Sequence, residues 1–438
     1  MVPITSAIQR ETTKAEKSFE KSVPYDRIAN SYLIPPLLVT IDLFFKFDGW
    51  EPHMTFPDRV EKMIEKAASI LDAEKNVIRD EFTRFNTIYV GNIQADQVTF
   101  ELQLTLPEIA RVMKYDLNRF YQDRDFNFEK TLEYRLWHRD HIPDDSPFIG
   151  IYEMDYACHS LEYSMFGIMP QWVPGEYPSY GHPILREKED LKSLKVPDFF
   201  TAGFMPKVIE DYNRIKQELN GRLEIGIRKS VQGPFQVATG LRGQENVFAE
   251  EIADPDFILE LMEFAFEFHK SWVRGWEELH GRPYGMFNIG DDDIDTTFTV
   301  SPRVFRQLIL PVYVRYGREF GSIHWHSCGD TNNIFQDIAT IPNLQLLEMG
   351  PKDDSFAAAK IFAGTGVRFY KCPNPVDEVF LPVPGAQEAM IENVLRAGEL
   401  VPIKILCEAD NLEKGMVLLS KFREVAGQGD SPEKSSLP

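Results

Sequence analysis

Short apolar runs alternate with longer amphipathic segments from about residue 97 to the end of the chain. Runs of this length are typical of buried β-strands, and the segments between them have helical spacing. Eight runs are predicted strands: 98–104, 148–153, 223–229, 286–289, 323–327, 344–348, 367–371 and 403–407. Strands that alternate with helices pair in parallel, and eight such units close into a barrel. The predicted fold class is therefore α/β, a (β/α)8 TIM barrel with an N-terminal mainly helical extension.

Two helices have clear start signals. Asp254 precedes Pro255, which is the pattern of an N-cap followed by proline in the first turn, and Gly281 is placed to end this helix. A second helix is predicted to begin at Ser301-Pro302 by the same rule. These signals fix where two of the barrel helices begin.

Three regions are predicted along the chain. Residues 1–95 form the N-terminal mainly helical extension, residues 96–426 form the barrel, and the polar segment 427–438 is a flexible tail. Within the extension, residues 58–73 have apolar positions at helical spacing. The aromatic cluster at residues 44–50 either joins the core or contacts a second subunit. A homodimer is therefore one of two interpretations of this cluster.

Composition excludes several classes of protein. The chain has 438 residues and a net charge of −21, which disfavours binding to nucleic acid and to anionic membranes. Four cysteines in a chain of this size do not make a disulfide framework. The first 21 residues are polar and charged, and no apolar run reaches the roughly 18 residues of a membrane span. We expect a cytoplasmic protein.

Candidate metal ligands lie where the predicted strands end. His326 and Cys328 close the fifth strand and face one side of it, because residues two apart on a strand share a face. Nitrogen and thiolate donors together suit zinc. Cys407 closes the eighth strand and Glu348 the sixth, at the same rim of the barrel. Three protein ligands with an exchangeable fourth are typical of a catalytic zinc, and Glu348 could fill the fourth position.

Simpler interpretations stand beside this one. A cysteine on a buried strand is more often a small apolar residue than a ligand, and Cys158 and Cys372 are interpreted in that way. Glu348 could instead cap a helix. His324 shares a face with His326 and is a candidate hydrogen-bond partner of a ligand.

Other polar residues on the predicted rim are candidates for catalysis or substrate binding. An acidic side chain there can act as acid or base, and a lysine can bind a carboxylate. Acidic residues after the fourth strand could hold substrate or a helix N-terminus. The catalytic candidates are Glu153, Asp155 and Asp292, and the substrate-binding candidates are Lys229, Asn288 and Asp291.

Several motifs, taken in their order, resemble those of the uroporphyrinogen decarboxylase superfamily over roughly residues 100–425. They are Leu161-Glu162-Tyr163 with Phe166-Gly167, Gly233-Pro234-Phe235, the segment Phe287 to Asp292, Ser301 to Phe305, Leu310-Pro311, and His326-Ser327-Cys328-Gly329-Asp330. True decarboxylases of this superfamily carry an arginine-rich strand and an F-S-D-type loop, and this chain has neither. The other branch contains zinc-dependent methyltransferases that work with corrinoid proteins.

The resemblance to that second branch implies a ligand set. Its signature is H-x-C followed far downstream by a second cysteine, and here that distance is 407 − 328 = 79 residues. By this resemblance His326, Cys328 and Cys407 are zinc ligands, and Glu348 is similar to the acidic fourth ligand of some members. The long N-terminal region departs from the shorter methylcobamide:coenzyme M enzymes and is similar to the first methyltransferases of corrinoid-dependent O-demethylases.

The implied function is transfer of a methyl group from a small methylated substrate, such as a methoxyaromatic, to the cobalt of a corrinoid (cobalamin) carried by a partner protein. Transfer from a methylated corrinoid to a thiol uses the same ligands and stays open. Two further alternatives are a metal-free decarboxylase, with Arg228 and Arg242 as candidate carboxylate binders, and a non-catalytic corrinoid-binding subunit. No nucleic-acid or membrane partner is expected.

Overall fold

The computed structural model describes residues 56–73, 98–148, 150–154, 160–173, 175–179, 181–228 and 231–427. Each of the eight predicted strands is present, with boundaries shifted by a few residues. The strands are β1 (Thr99–Leu104), β2 (Ile151–Met154), β3 (Glu224–Ile227), β4 (Phe287–Gly290), β5 (Ile323–His326), β6 (Leu344–Met349), β7 (Arg368–Lys371) and β8 (Ile403–Ala409). The aromatic cluster at residues 44–50 lies outside the described residues.

All strand pairs are parallel, as the alternation of strands and helices predicted. Six strands are joined in the order β1-β8-β7-β6-β5-β4, and β2 pairs with β3. A single bridge between Gln232 and Gly290 connects the segment after β3 to β4. Because β1 pairs with β8, the first and last strands meet, which is the closure expected of a (β/α)8 barrel.

Helices surround the strands. They are α1 (Asp58–Ala73), α2 (Leu106–Met113), α3 (Leu117–Gln122), α4 (Arg124–His141), α5 (Ser160–Met165), α6 (Met205–Leu219), α7 (Pro234–Arg242), α8 (Gln244–Ala253), α9 (Pro255–His280), α10 (Pro302–Val304), α11 (Leu310–Phe320), α12 (Phe335–Ile338), α13 (Ser355–Phe362), α14 (Ala386–Gly398) and α15 (Leu412–Val425). Within the part of the chain described, none of them is both long enough and apolar enough to span a membrane.

The predicted helix starts are confirmed by their caps. The Asp254 side chain accepts a hydrogen bond from the backbone N–H of Phe257, and α9 ends at Gly281, whose φ is 69°. That left-handed conformation favours glycine. The Ser301 hydroxyl accepts from the backbone N–H of Val304 at the start of α10, which continues through a π-helical turn into α11.

Two apolar layers build the barrel. The outer faces of the strands pack under the helices in one large core, and a small inner cluster contains Met286, Leu346 and Tyr370 with Leu406 packed against it. The N-terminal helix α1 packs against α4, where the rings of Phe56 and Phe128 stack with centroids 4.9 Å apart. The predicted helix at residues 58–73 is therefore confirmed.

Candidate metal centre

The strand register brings the ends of β4, β5 and β6 together around His326, the last residue of β5. His326 lies opposite Gly290 of β4 on one side and opposite Glu348 of β6 on the other. The loop after β4 carries Asp292, and Cys328 follows two residues after His326. Neighbouring parallel strands end at one edge, so these side chains meet at the mouth of the barrel.

Three donor atoms form a compact triangle at this mouth. His326 Nε2 lies 3.1 Å from Asp292 Oδ1 and 3.3 Å from Cys328 Sγ, and Cys328 Sγ lies 3.3 Å from Asp292 Oδ1. A tetrahedral zinc with bonds of about 2.0–2.3 Å separates its donors by about 3.3–3.8 Å. The triangle is close to one face of such a tetrahedron, and its nitrogen, sulfur and oxygen donors are those that zinc accepts.

Glu348 lies on the other side of the His326 ring. Its Oε1 is 3.5 Å from His326 Nδ1 and 3.6 Å from the thiol of Cys372, and its Oε2 is 2.7 Å from His324 Nε2. His326 Nδ1 is buried and makes no hydrogen bond with the described residues. Glu348 therefore contacts the ring nitrogen opposite to the one that faces Asp292 and Cys328.

The charges around the ring explain the titration of His326 and Glu348. Burial alone would lower the pKa of His326, but the charge of Glu348 and the hydrogen bonds with Asp292 and Cys328 hold this pKa well above its usual value. Burial alone would raise the pKa of Glu348, but the charges of His326 and His324 lower it to about 2. Glu348 is therefore ionised at neutral pH.

The two thiols nearest the mouth are protonated when no cation is nearby. Burial raises the pKa of Cys328 despite the opposing effect of His326. Burial, together with the charges of Glu348 and Cys328, raises the pKa of Cys372 well above its usual value. A bound divalent cation would reverse this balance, because a thiol that coordinates a metal is deprotonated.

Cys407 lies in a different layer from the position that the sequence predicted. It is fully buried in the main core, on the face of β8 shared with Ile405 and Ala409. That face packs under α15, since a Cβ added at Gly415 would lie 3.1 Å from Ala409 Cβ. Burial raises the pKa of the Cys407 thiol to about 12. In the described residues, the donors within 4.8 Å of one another come from Asp292, His326 and Cys328, without Cys407.

The remaining rim candidates have different surroundings. Glu153 is half-buried on the inner face of β2, opposite in direction to the core residues Tyr152 and Met154. Asn288 lies beside His324 in the register of β4 and β5. Asp155 and Lys229 lie outside the described residues.

Asp291 holds a helix N-terminus, which is the second of the two roles considered for it. It is fully buried, and its Oδ1 accepts a hydrogen bond from the backbone N–H of Gln236 in the first turn of α7, 2.6 Å away. Its Oδ2 accepts from the hydroxyl of Tyr313. Both carboxylate oxygens are thus engaged by the protein, and a contact of Asp291 with substrate stays a prediction.

Two residues at the mouth were missed by sequence reasoning. Cys372 was interpreted as a core residue, but its thiol donates to Glu348. Glu408 follows Cys407 on β8 and is exposed, on the same face of the strand as Leu406, which packs against the inner cluster. Strand alternation applied to Leu406, which is apolar and faces inward, would have identified Glu408 instead of Cys407 as the inward residue.

Comparison with known proteins agrees with this architecture. Residues 156–369 match the family model described as uroporphyrinogen decarboxylase (URO-D). A methyltransferase from Methanosarcina mazei has a similar fold, with a TM-score of 0.58 and 18% sequence identity, over 78% of this chain and 98% of that one. No curated protein matches the sequence. The resemblance to the superfamily, and with it the barrel fold, is confirmed.

Proposed function

We propose that this chain, whose residues 156–369 match the uroporphyrinogen decarboxylase family, is a zinc-dependent methyltransferase. It would move a methyl group from a small methylated substrate to the cobalt of a corrinoid protein. The observation that carries this proposal is the triangle of Asp292, His326 and Cys328 donors at the barrel mouth. The fold shared with a methyltransferase from Methanosarcina mazei is consistent with it.

His326, Cys328 and Asp292 would hold the zinc, with Asp292 in the third position that the sequence assigned to Cys407. Zinc bound there would act as a Lewis acid on a substrate oxygen, or lower the pKa of a substrate thiol. The three protein donors leave a fourth position for the substrate, which is the arrangement of a catalytic site rather than a structural one.

Residues on the inner wall would orient the substrate below the corrinoid. Asn288 is level with His324 in the strand register, two residues deeper in the barrel than His326. Its amide can donate to a substrate oxygen there. Glu153 faces the interior from β2 and is our candidate for proton transfer to a leaving oxygen. Asp155 and Lys229 keep their predicted roles as acid or base and as carboxylate binder.

The decarboxylase alternative has less support, because it needs arginines free to bind several carboxylates. Arg242 is already engaged: its guanidinium lies 2.7 Å from Glu250 Oε1 and 3.0 Å from the carbonyl oxygen of Leu185. The charge of Arg228 acts on Glu162 and Glu408. One arginine engaged by the protein and one beside two acids do not make a polycarboxylate site.

The proposal is tested by metal content and by the spectrum of cobalt. We expect about one zinc per chain in the purified protein by plasma mass spectrometry, and a sharp loss of zinc in His326→Ala and Cys328→Ala with the fold retained. Mixing the zinc protein with cob(I)alamin and a methylated ether, amine or thioether should produce the methylcobalamin absorbance. If the zinc protein instead demethylates methylcobalamin when a thiol is the only acceptor, methyl transfer from the corrinoid to the thiol is favoured.

Two outcomes would contradict the proposal. Full zinc content in both the His326→Ala and Cys328→Ala variants would remove the site. Zinc-loaded wild-type protein that leaves the cobalt spectrum unchanged with every methyl donor and every thiol tested would remove methyl transfer. Lys66→Ala, which removes an exposed ion pair with Asp140 between α1 and α4, serves as the control substitution.

A further inference from the structure

We propose that Glu348 is a positioning residue that orients His326, and that it does not itself bind the metal. This inference rests on the proposed zinc site, and it changes the fourth-ligand role that the sequence assigned to Glu348. Three contacts of the carboxylate carry it, together with the side of the His326 ring on which they lie.

The two nitrogens of His326 face different partners. Nε2 faces Asp292 and Cys328 at 3.1 and 3.3 Å, while Nδ1 faces Glu348 Oε1 at 3.5 Å. When a metal is bound at Nε2 of a neutral imidazole, the proton resides on Nδ1 and needs an acceptor. Glu348 Oε1 is the carboxylate oxygen next to this buried nitrogen, so it is placed to accept that proton.

Both oxygens of Glu348 are held on this side of the ring. Oε2 lies 2.7 Å from His324 Nε2, and Oε1 accepts from the thiol of Cys372 at 3.6 Å. His324 is nearly fully buried on the inner face of β5, and Cys372 directly follows β7. To reach the Asp292–Cys328 side, Glu348 would have to break both contacts and pass around the imidazole ring.

Neighbouring strands have different roles in this arrangement. The last residue of β5 and the segments after β4 and β5 supply the donors, and β6 supplies the carboxylate that fixes the ring. His324 and Cys372 fix that carboxylate in turn. Such an outer partner raises the basicity of the ligand and fixes its tautomer, and its loss typically weakens metal binding by about 10–100-fold.

The test is a cobalt(II) titration followed by absorbance, since ligand-field bands report the donor set separately from affinity. In Glu348→Gln we expect bands and thiolate-to-cobalt absorption of wild-type shape, with a dissociation constant raised by about 10–100-fold. In Asp292→Asn, which alters a donor, we expect the band pattern itself to change. Unchanged affinity in Glu348→Gln, or a band change like that of Asp292→Asn, would overturn the inference.

A second pair of variants covers the case in which Glu348→Gln does not fold. Cys372→Ala removes the donor to Glu348 and should weaken cobalt binding without changing the bands, whereas Cys372→Ser keeps a donor and should restore the affinity. Loss of thiolate-to-cobalt absorption in Cys372→Ala would make Cys372 a ligand and overturn the inference. Wild-type protein that binds neither cobalt nor zinc would overturn the proposed function itself, which is a distinguishable result.

Discussion

One step along β8 decides which layer of the barrel a side chain enters. Leu406 contributes to the inner cluster, while Cys407 lies with Ile405 in the core beneath the helices. The resemblance placed Cys407 at the metal by its distance along the chain from Cys328. Distance along the chain does not specify the face of a strand, and a shift of one residue moves a side chain to the opposite face.

Replacement of Cys407 tests whether this residue binds the metal or packs in the core beneath the helices. We expect Cys407→Ala to keep its zinc and to lower the free energy of unfolding of the metal-free protein by about 1 kcal/mol, because it removes a buried apolar atom. Zinc analysis and urea unfolding after chelation measure the two quantities. Cys328→Ala is the matched control. It should lose its zinc, and the free energy of unfolding of its metal-free form should stay close to that of wild type. Loss of zinc from a folded Cys407→Ala protein would restore Cys407 as a ligand.

At the scale of elements, local signals place the helices and the strands carry the donors. The helix that begins at Pro302 starts where serine and proline predict, because the Ser301 hydroxyl accepts from the N–H of Val304 at 3.3 Å. This helix follows β4 and leads to β5, so it lies in the chain between Asp292 and the two donors His326 and Cys328. A change at the cap therefore tests how much this local signal stabilises the fold.

Ser301→Ala should lower the free energy of unfolding by about 1 kcal/mol, since the cap loses its acceptor. Ser301→Asp keeps an acceptor at this position and should stay close to wild type. Urea unfolding of both variants measures the difference. Equal stability of Ser301→Ala and wild type would show that the 3.3 Å contact contributes nothing to the fold.

At the scale of the whole molecule, closure of the barrel joins residues 303 positions apart. Lys404 of β8 donates to Glu101 of β1 at 2.7 Å, and their side chains are only 5% and 16% exposed. Burial alone would raise the pKa of Glu101, but Lys404 lowers it, so the carboxylate is ionised at neutral pH. A buried ion pair contributes little net stability, but removal of one partner leaves a buried charge.

A double-mutant cycle tests this closure. Lys404→Met should lower the free energy of unfolding by about 3–5 kcal/mol, because Glu101 is then buried without its partner. Lys404→Met combined with Glu101→Leu should recover most of that loss, since neither charge remains. Urea unfolding of the two single variants and the double variant gives the coupling. A double variant no more stable than Lys404→Met would indicate that packing, and not the ion pair, joins the two strands.

The sequence by itself determined the eight strands, the helix starts at Pro255 and Pro302, the barrel class and the proximity of His326 to Cys328. These features follow from periodicity, caps and the i, i+2 geometry of a strand, which are properties of a short stretch of chain. The resemblance to the uroporphyrinogen decarboxylase superfamily followed from the order of several such stretches.

Only the tertiary structure decided which partners meet around His326. Asp292 faces Nε2, Glu348 faces Nδ1, Cys372 contacts Glu348 and Cys407 lies behind the sheet. Each of these outcomes depends on the register between strands and on which face each residue occupies at a strand end. Register is a relation between segments far apart in the chain, so no local pattern in the sequence contains it.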